Sequence, residues 1–123
     1  MTQSPPQVSL HIGGIARASG SGGTHDHVSP VTGKVQGTIP LAGPAEVDEA
    51  VAAAQAAREG WRRTAPEVRR EILIRLADLM EAHKGEFARM GALDGGTPLL
   101  AGDRMAETAI AWTRYYAGWC DKL

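Results

Sequence analysis

Residues 66–90, PEVRREILIRLADLMEAHKGEFARM, are the stretch whose reading decides the architecture of this chain. Pro66 suits the first turn of a helix, where its missing N–H leaves nothing unbonded, and Thr64 stands just outside as a capping residue. At about 100° per residue, Val68, Ile72, Leu73, Leu76, Leu79, Met80, His83, Phe87 and Met90 share one wide arc, while Glu67, Arg70, Glu71, Arg75, Asp78, Glu81 and Arg89 lie outside it. The spacing predicts one long amphipathic helix with a face to be buried. The Glu71–Arg75 pair is worth only about 0.2–0.5 kcal/mol, so the apolar stripe has to hold the helix in place. Ile74 falls opposite the stripe, either as an ordinary exposed side chain or as the mark of a second contact.

Downstream, Leu93-Asp-Gly-Gly-Thr-Pro98 is a strong stop: glycines that reach the left-handed region precede a proline that cannot continue a helix. A further helix is expected from Leu100 to the end. Met105, Ala106, Ala109, Thr113, Tyr116 and Cys120 make one stripe on it, and Trp112, Tyr115 and Trp119 line an adjacent face, so the helix is apolar over most of its circumference. Trp112, Tyr115, Tyr116 and Trp119 are four of the six aromatic residues of the chain. A helix of this kind wants cover on both sides, and the expectation is a chain cut before that cover arrives. A three-helix domain that ends with its last helix stays open as the alternative.

Upstream, Gly43-Pro44 followed by Glu46, Asp48 and Glu49 reads as a helix start with acids at its positive end. Val47, Ala50, Val51, Ala54, Ala57 and Trp61 recur at helical spacing, and Arg58, Arg62 and Arg63 suit the carbonyl end. Before this, residues 1–7 read as a polar tail. Val8–Ile12 alternates with period two into Gly13-Gly14, with Ile15–Ala18 as the return arm of a hairpin. Ser19–Thr24 reads as a flexible Gly/Ser connector. His25–Val28 and Lys34–Leu41 look extended around the turn Ser29-Pro-Val-Thr-Gly33. The fold class is thus α+β: a tail and β hairpin element over 1–43, then three α-helices over 44–123, together one incomplete domain.

With 123 residues, 43% hydrophobic and 22% charged, the composition is that of one globular domain. A net charge of −1, with basic residues dispersed among acids, implies neither a nucleic acid nor a membrane partner. The start has no basic region leading into an apolar core, and no run approaches the ~20 apolar residues that span a bilayer. Cys120 is the single cysteine, which excludes an internal disulfide. A cytoplasmic location is expected.

The candidate reactive residues carry modest readings. Cys120 lies on the last helical stripe without an adjacent His and reads as packing. His25 and His27 share one face of a strand, two ligands without a third. His83 reads as a hydrogen-bonded core or rim residue. Gly20-Ser-Gly22 lacks the last glycine and the helix of a dinucleotide fingerprint, and Gly33-Lys34 lacks the upstream glycine of a phosphate loop.

In order and spacing, Ser29-Pro-Val-Thr-Gly-Lys-Val35, Gly60-Trp61-Arg62, Leu93-Asp-Gly-Gly-Thr-Pro98 and Arg114-Tyr-Tyr-Ala-Gly-Trp-Cys-Asp-Lys122 resemble the N-terminal part of an aldehyde dehydrogenase. The likeness covers nearly the whole chain. The family usually has Asn at Ser29, Asn at Gly95 and Lys at Thr97. The resemblance implies the first part of an α/β cofactor-binding domain, severed before its parallel sheet, from an oxidoreductase that turns aldehydes into carboxylic acids with NAD or NADP. In that family a cysteine thiolate attacks the carbonyl, oxyanion donors hold the charge, hydride leaves to the nicotinamide and a carboxylate activates water. The family places all of these groups after the point this sequence reaches. No catalytic or cofactor-binding residue carries over, and no cofactor is expected on this chain alone. The resemblance implies one inherited site, a monovalent cation held by backbone carbonyls, which would fall on His27, Val28 and Asp94; the alternative there is an ordinary loop contact between the hairpin and the second helix. The partner implied is the remainder of an aldehyde dehydrogenase, or a second copy through self-association. The rival function is a stand-alone helical interaction module that binds a partner through the aromatic face of the last helix.

Overall fold

Two glycines at positive φ, Gly13 at 58° and Gly14 at 82°, make the tight turn that the sequence asks for, a conformation that two-residue hairpin loops require and that side chains resist. They join β1 (Leu10–Ile12) to β2 (Ile15–Arg17) in an antiparallel pair with Leu10 opposite Arg17 and Ile12 opposite Ile15. The computed structural model describes residues 7–122; most of the tail expected over 1–7 lies outside them. A second antiparallel pair joins β3 (Thr24–Val28) to β4 (Val35–Pro40). Its connection is tied by Ser29, which is buried: the Gly33 N–H donates to the Ser29 carbonyl at 2.8 Å, the Ser29 N–H donates to the Lys34 carbonyl at 2.9 Å, and the Ser29 hydroxyl accepts from the Thr32 N–H at 3.3 Å. The β element is therefore two separate hairpins.

Helix α1 (Pro44–Arg63) follows, with Glu46 in its first turn and Arg62 and Arg63 in its last, the charge order that the helix dipole favours. Its apolar stripe forms as the periodicity predicts but stays open: Val47, Val51 and Trp61 are each about half exposed, and among the described residues none of α1 is buried. By packing, the chain divides into one unit up to Arg63 and a second from Thr64 onward. Helix α1 thus groups with the hairpins, whereas composition drew its boundary at Gly43.

The second unit corrects the decisive stretch. Three helices were expected over 44–123, and the described residues form four, because 66–90 does not form one rod. Helix α2 (Pro66–Ala82) stops at His83, whose φ of −108° and ψ of 15° leave the helical region, and α3 (Lys84–Gly95) begins at the next residue. The His83 carbonyl accepts from the Glu86 N–H at 2.9 Å, so the break is hydrogen-bonded from both sides, with the His83 N–H donating to the Leu79 carbonyl at 3.1 Å. The reason is tertiary: α2 and α3 both pack along α4 (Leu99–Ala117), and bending at His83 keeps each of them on it. At its start α2 has Pro66 in the first turn as expected, but Ala65 and not Thr64 takes the capping position, without a side-chain cap. The predicted stop after α3 is confirmed in detail: Gly96 is left-handed at φ 69°, and the Gly96 and Thr97 N–H groups cap the Ala92 and Gly91 carbonyls, both at 3.2 Å.

The buried seam of α4 is Gly102, Ala106, Ile110 and Ala117, facing Ala77 of α2 and Ala88 of α3, themselves 0% and 2% exposed. The stripe expected on α4 is rotated: Ala106 belongs to the seam, while Met105 and Tyr116 face outward at 64% and 56% exposure. Small residues win the seam because three helices that meet this closely leave no room for a ring. On α2 the buried side likewise centres on Ala77, leaving Val68, Ile72, Leu76 and Leu79 of the predicted stripe substantially exposed. Polar ties rim the seam: Arg114 reaches Asp78 at 3.1 Å and Glu81 at 3.3 Å, Lys84 reaches Glu107 at 2.8 Å, and Arg70 reaches Asp121 at 2.8 Å. Exposed pairs of this kind are screened by solvent and contribute little, so the seam and not its rim sets the packing. Among the described residues no helix is long and apolar enough to cross a membrane.

Candidate functional site

Reactive side chains are scattered in this structure, and its unpartnered surfaces are apolar. Cys120 follows the last residue of α4 instead of lying within the helix, and it is partly exposed; its Sγ leans on the Tyr116 carbonyl at 3.8 Å. The neighbour in sequence is Asp121, an anion, where a reactive thiol would need a cation or a histidine to form thiolate. Cys120→Ser should change stability by less than about 1 kcal/mol. Native Cys120 should react with iodoacetamide at neutral pH no faster than a free thiol, as mass spectrometry would register; alkylation that outpaces free cysteine would overturn the packing role.

His25 and His27 lie on β3, with Gln36 Nε2 3.4 Å from His27 Nδ1. Among the described residues no group of three or more His, Cys, Asp or Glu side chains is placed to hold a metal ion. His83, expected in a helical stripe, stands at the break between α2 and α3, half exposed, with Nδ1 3.1 Å from Glu86 Oε1. Of the residues named for a carbonyl-held cation, His27 and Val28 occupy β3, where the β3–β4 ladder shifts register between them. Asp94 lies in the last turn of α3.

In the first unit an open cleft of about 420 Å³ runs between β1 and α1, lined by Leu10, Ile12, Val47, Ala50 and Val51. In the second unit, α4 presents a shallow groove of about 430 Å³ lined by Ala111, Trp112, Tyr115 and Tyr116. Its rings brace one another edge to face, Tyr115 on Tyr116 at 5.3 Å and Trp112 on Tyr116 at 6.4 Å, with Trp119 6.0 Å from Tyr115. Trp112 is 64% exposed and Tyr115 59%. Such a rigid aromatic surface can bind an apolar partner but supplies no nucleophile or base.

One charged group is unusually well supplied with donors. The Glu46 carboxylate, in the first turn of α1, accepts from the Ser21 N–H at 2.8 Å, the Ser21 hydroxyl at 2.6 Å and the Gly43 N–H at 2.8 Å. The Ser21 hydroxyl and then the Ser21 and Gly43 N–H groups hold its pKa down to about 2. Nearby, Arg17 grips Glu49 with both guanidinium nitrogens, one at 2.7 Å, which lowers the Glu49 carboxyl as well. Sequence reasoning missed the Glu46 cluster, because a carboxylate three residues after a glycine signals only a helix start.

The sequence model of the aldehyde dehydrogenase family matches residues 17–123. DhaS of Bacillus subtilis (strain 168) is 43% identical over 119 residues, which is 93% of this chain and 24% of that protein. The phenylacetaldehyde dehydrogenase of Pseudomonas fluorescens is 41% identical, over 91% of this chain and 23% of its own length. Among solved structures, PnpE in complex with nicotinamide adenine dinucleotide superposes with a TM-score of 0.90 at 34% identity, covering 96% of this chain and 24% of PnpE. The chain thus spans about a quarter of the length of these relatives.

Proposed function

Because this chain belongs to the aldehyde dehydrogenase family, we propose that it acts as the opening portion of an oxidoreductase that oxidises aldehydes to carboxylic acids with NAD or NADP. The observation that carries this reading is the likeness to PnpE at a TM-score of 0.90 over 96% of this chain. Its role in the reaction is architectural. The chemistry needs a thiolate, oxyanion donors and a carboxylate base around a bound nicotinamide, and this chain contributes none of them. What it contributes is surface: the open stripes of α1 and α2 and the rings of α4 are faces for the rest of the enzyme to cover, in the cytoplasm.

A second reading rests on those rings. Trp112, Tyr115 and Tyr116 form a pre-braced apolar platform, which suits a stand-alone interaction module binding a partner protein. One titration separates the two. The 123-residue chain is added to a family enzyme lacking the corresponding N-terminal residues, and NADH absorbance is followed with an aldehyde substrate. The enzyme reading expects no turnover from either piece alone and turnover that rises with added chain. Binding without turnover would favour the module, and turnover by this chain alone would overturn the proposed division of labour.

A further inference from the structure

Residues 19–23, inside the 19–24 stretch that composition marks as a flexible connector, are hydrogen-bonded to the segment before α1 and to its first turn. The Gly22 N–H donates to the Leu41 carbonyl at 3.1 Å, and the Leu41 N–H donates back to the Gly23 carbonyl at 2.9 Å, so the loop is stitched to the segment that leads into α1. The approach is close enough to demand glycine. A Cβ on Gly22 would stand 2.7 Å from the Ala42 carbonyl oxygen, one on Gly20 would strike the Leu41 carbonyl oxygen, and one on Gly43 would strike the Ser21 hydroxyl. The glycines here serve contact and not freedom.

We propose that Ser19–Gly23 is a strap latched to the first turn of α1 by the Glu46 carboxylate, and that losing this latch opens the strap as one local unit while the rest of the chain stays folded. Three donors converge on Glu46, and two of them come from Ser21, at the middle of the strap. Turning the carboxylate into an amide leaves one acceptor oxygen where two served, so either the Ser21 N–H or the Gly43 N–H then faces an NH2 group that cannot accept. The bonds to Leu41 hold the strap at Gly22 and Gly23, whereas Ser21 is held by Glu46. The charged and titratable groups around the latch are Arg17 on β2, which is committed to Glu49, Glu49 itself on α1, and His11, which lines the same cleft as Glu46. None of them donates to Glu46. The latch is therefore set by the protonation of Glu46 against its Ser21 and Gly43 donors. A carboxylate with a depressed folded-state pKa stabilises the strap fully above its unfolded value of 4.5, and that contribution is lost as pH falls through about 2.

Site-resolved amide hydrogen exchange on the full chain tests this, expressed as protection factors so that intrinsic rates cancel. In Glu46→Gln, protection at Ser21, Gly22 and Gly43 should fall at least tenfold, while the amides of β1, β2 and α4 keep theirs. Ser21→Ala, which removes only the hydroxyl arm, should lower strap protection by a smaller factor and leave the helices untouched. Unchanged protection at Ser21 and Gly22 in Glu46→Gln would show that the stitches alone hold the loop. Equal loss at β1, β2 and α4 would make Glu46 a global stability residue and end the proposal.

Discussion

Gly102→Val should unseat α4 and lower the melting temperature of the chain by on the order of 10 °C, the largest effect expected of any single substitution here. A Cβ at Gly102 would stand 2.9 Å from the Ala88 Cα, 3.1 Å from its carbonyl oxygen and 3.2 Å from its Cβ. Two of those three atoms are backbone of α3, which cannot rotate away, so the helices must part. Overpacking a closed seam costs about 1–3 kcal/mol, and a domain of this size shifts by several degrees for each. The diagnostic variant is smaller. Gly102→Ala would ordinarily stabilise a helix by about 0.5–1 kcal/mol, but here it should destabilise, because even one methyl meets Ala88. Ala101→Val, one residue away and exposed, controls for the helix propensity of valine. A thermal melt followed by far-UV circular dichroism reads all three. A Gly102→Ala chain that melts higher than the parent would mean that α3 and α4 are not in close contact.

The second large effect concerns surface instead of stability. The 123-residue chain should bind a hydrophobic dye and self-associate in sedimentation, and replacing Trp112, Tyr115 and Tyr116 together with serine should abolish most of both signals. These rings are each more than half exposed and brace one another edge to face, so they offer rigid apolar area that loses little entropy on contact. Ile72 and Leu79 of α2 are exposed too, at 46% and 52%, but they are single aliphatic side chains with less area each. Replacing those two with serine is the matched control and should reduce dye binding only modestly. If the control variant loses the signal and the aromatic variant keeps it, α2 is the sticky face, and the platform assigned to α4 is misplaced. The aromatic variant also tests the proposed function: it should weaken the restoration of turnover in the titration with a truncated family enzyme.

Family membership was legible in the sequence because it rests on the order of short motifs along the chain, from Ser29-Pro-Val-Thr-Gly33 to Arg114-Tyr-Tyr-Ala-Gly-Trp119, and order needs no folding. Cys120, which periodicity placed on the stripe of the last helix, lies beyond Ala117, where α4 ends, because the chain leaves the helix at Gly118. The latch at Glu46 was invisible because two of its three donors come from residue 21, across 25 positions of chain.

The sequence by itself determined where the first hairpin turns, where α1 and α2 begin and where α3 stops. The Gly13-Gly14 turn, the Pro44 and Pro66 starts and the Gly96 cap all depend on a residue's own φ preference and its neighbours within one turn, and such local terms are complete in the sequence. Only the tertiary structure decided the break at His83, the rotation of the α4 seam onto Gly102, Ala106, Ile110 and Ala117, and the fixing of the Gly/Ser strap. Periodicity states that a helix has an apolar arc but not which part of it another helix will reach. Where α3 and α4 approach to 2.9 Å of a would-be Cβ, volume outranks hydrophobicity, so alanine and glycine take the interface and the tryptophan and tyrosines are left outside.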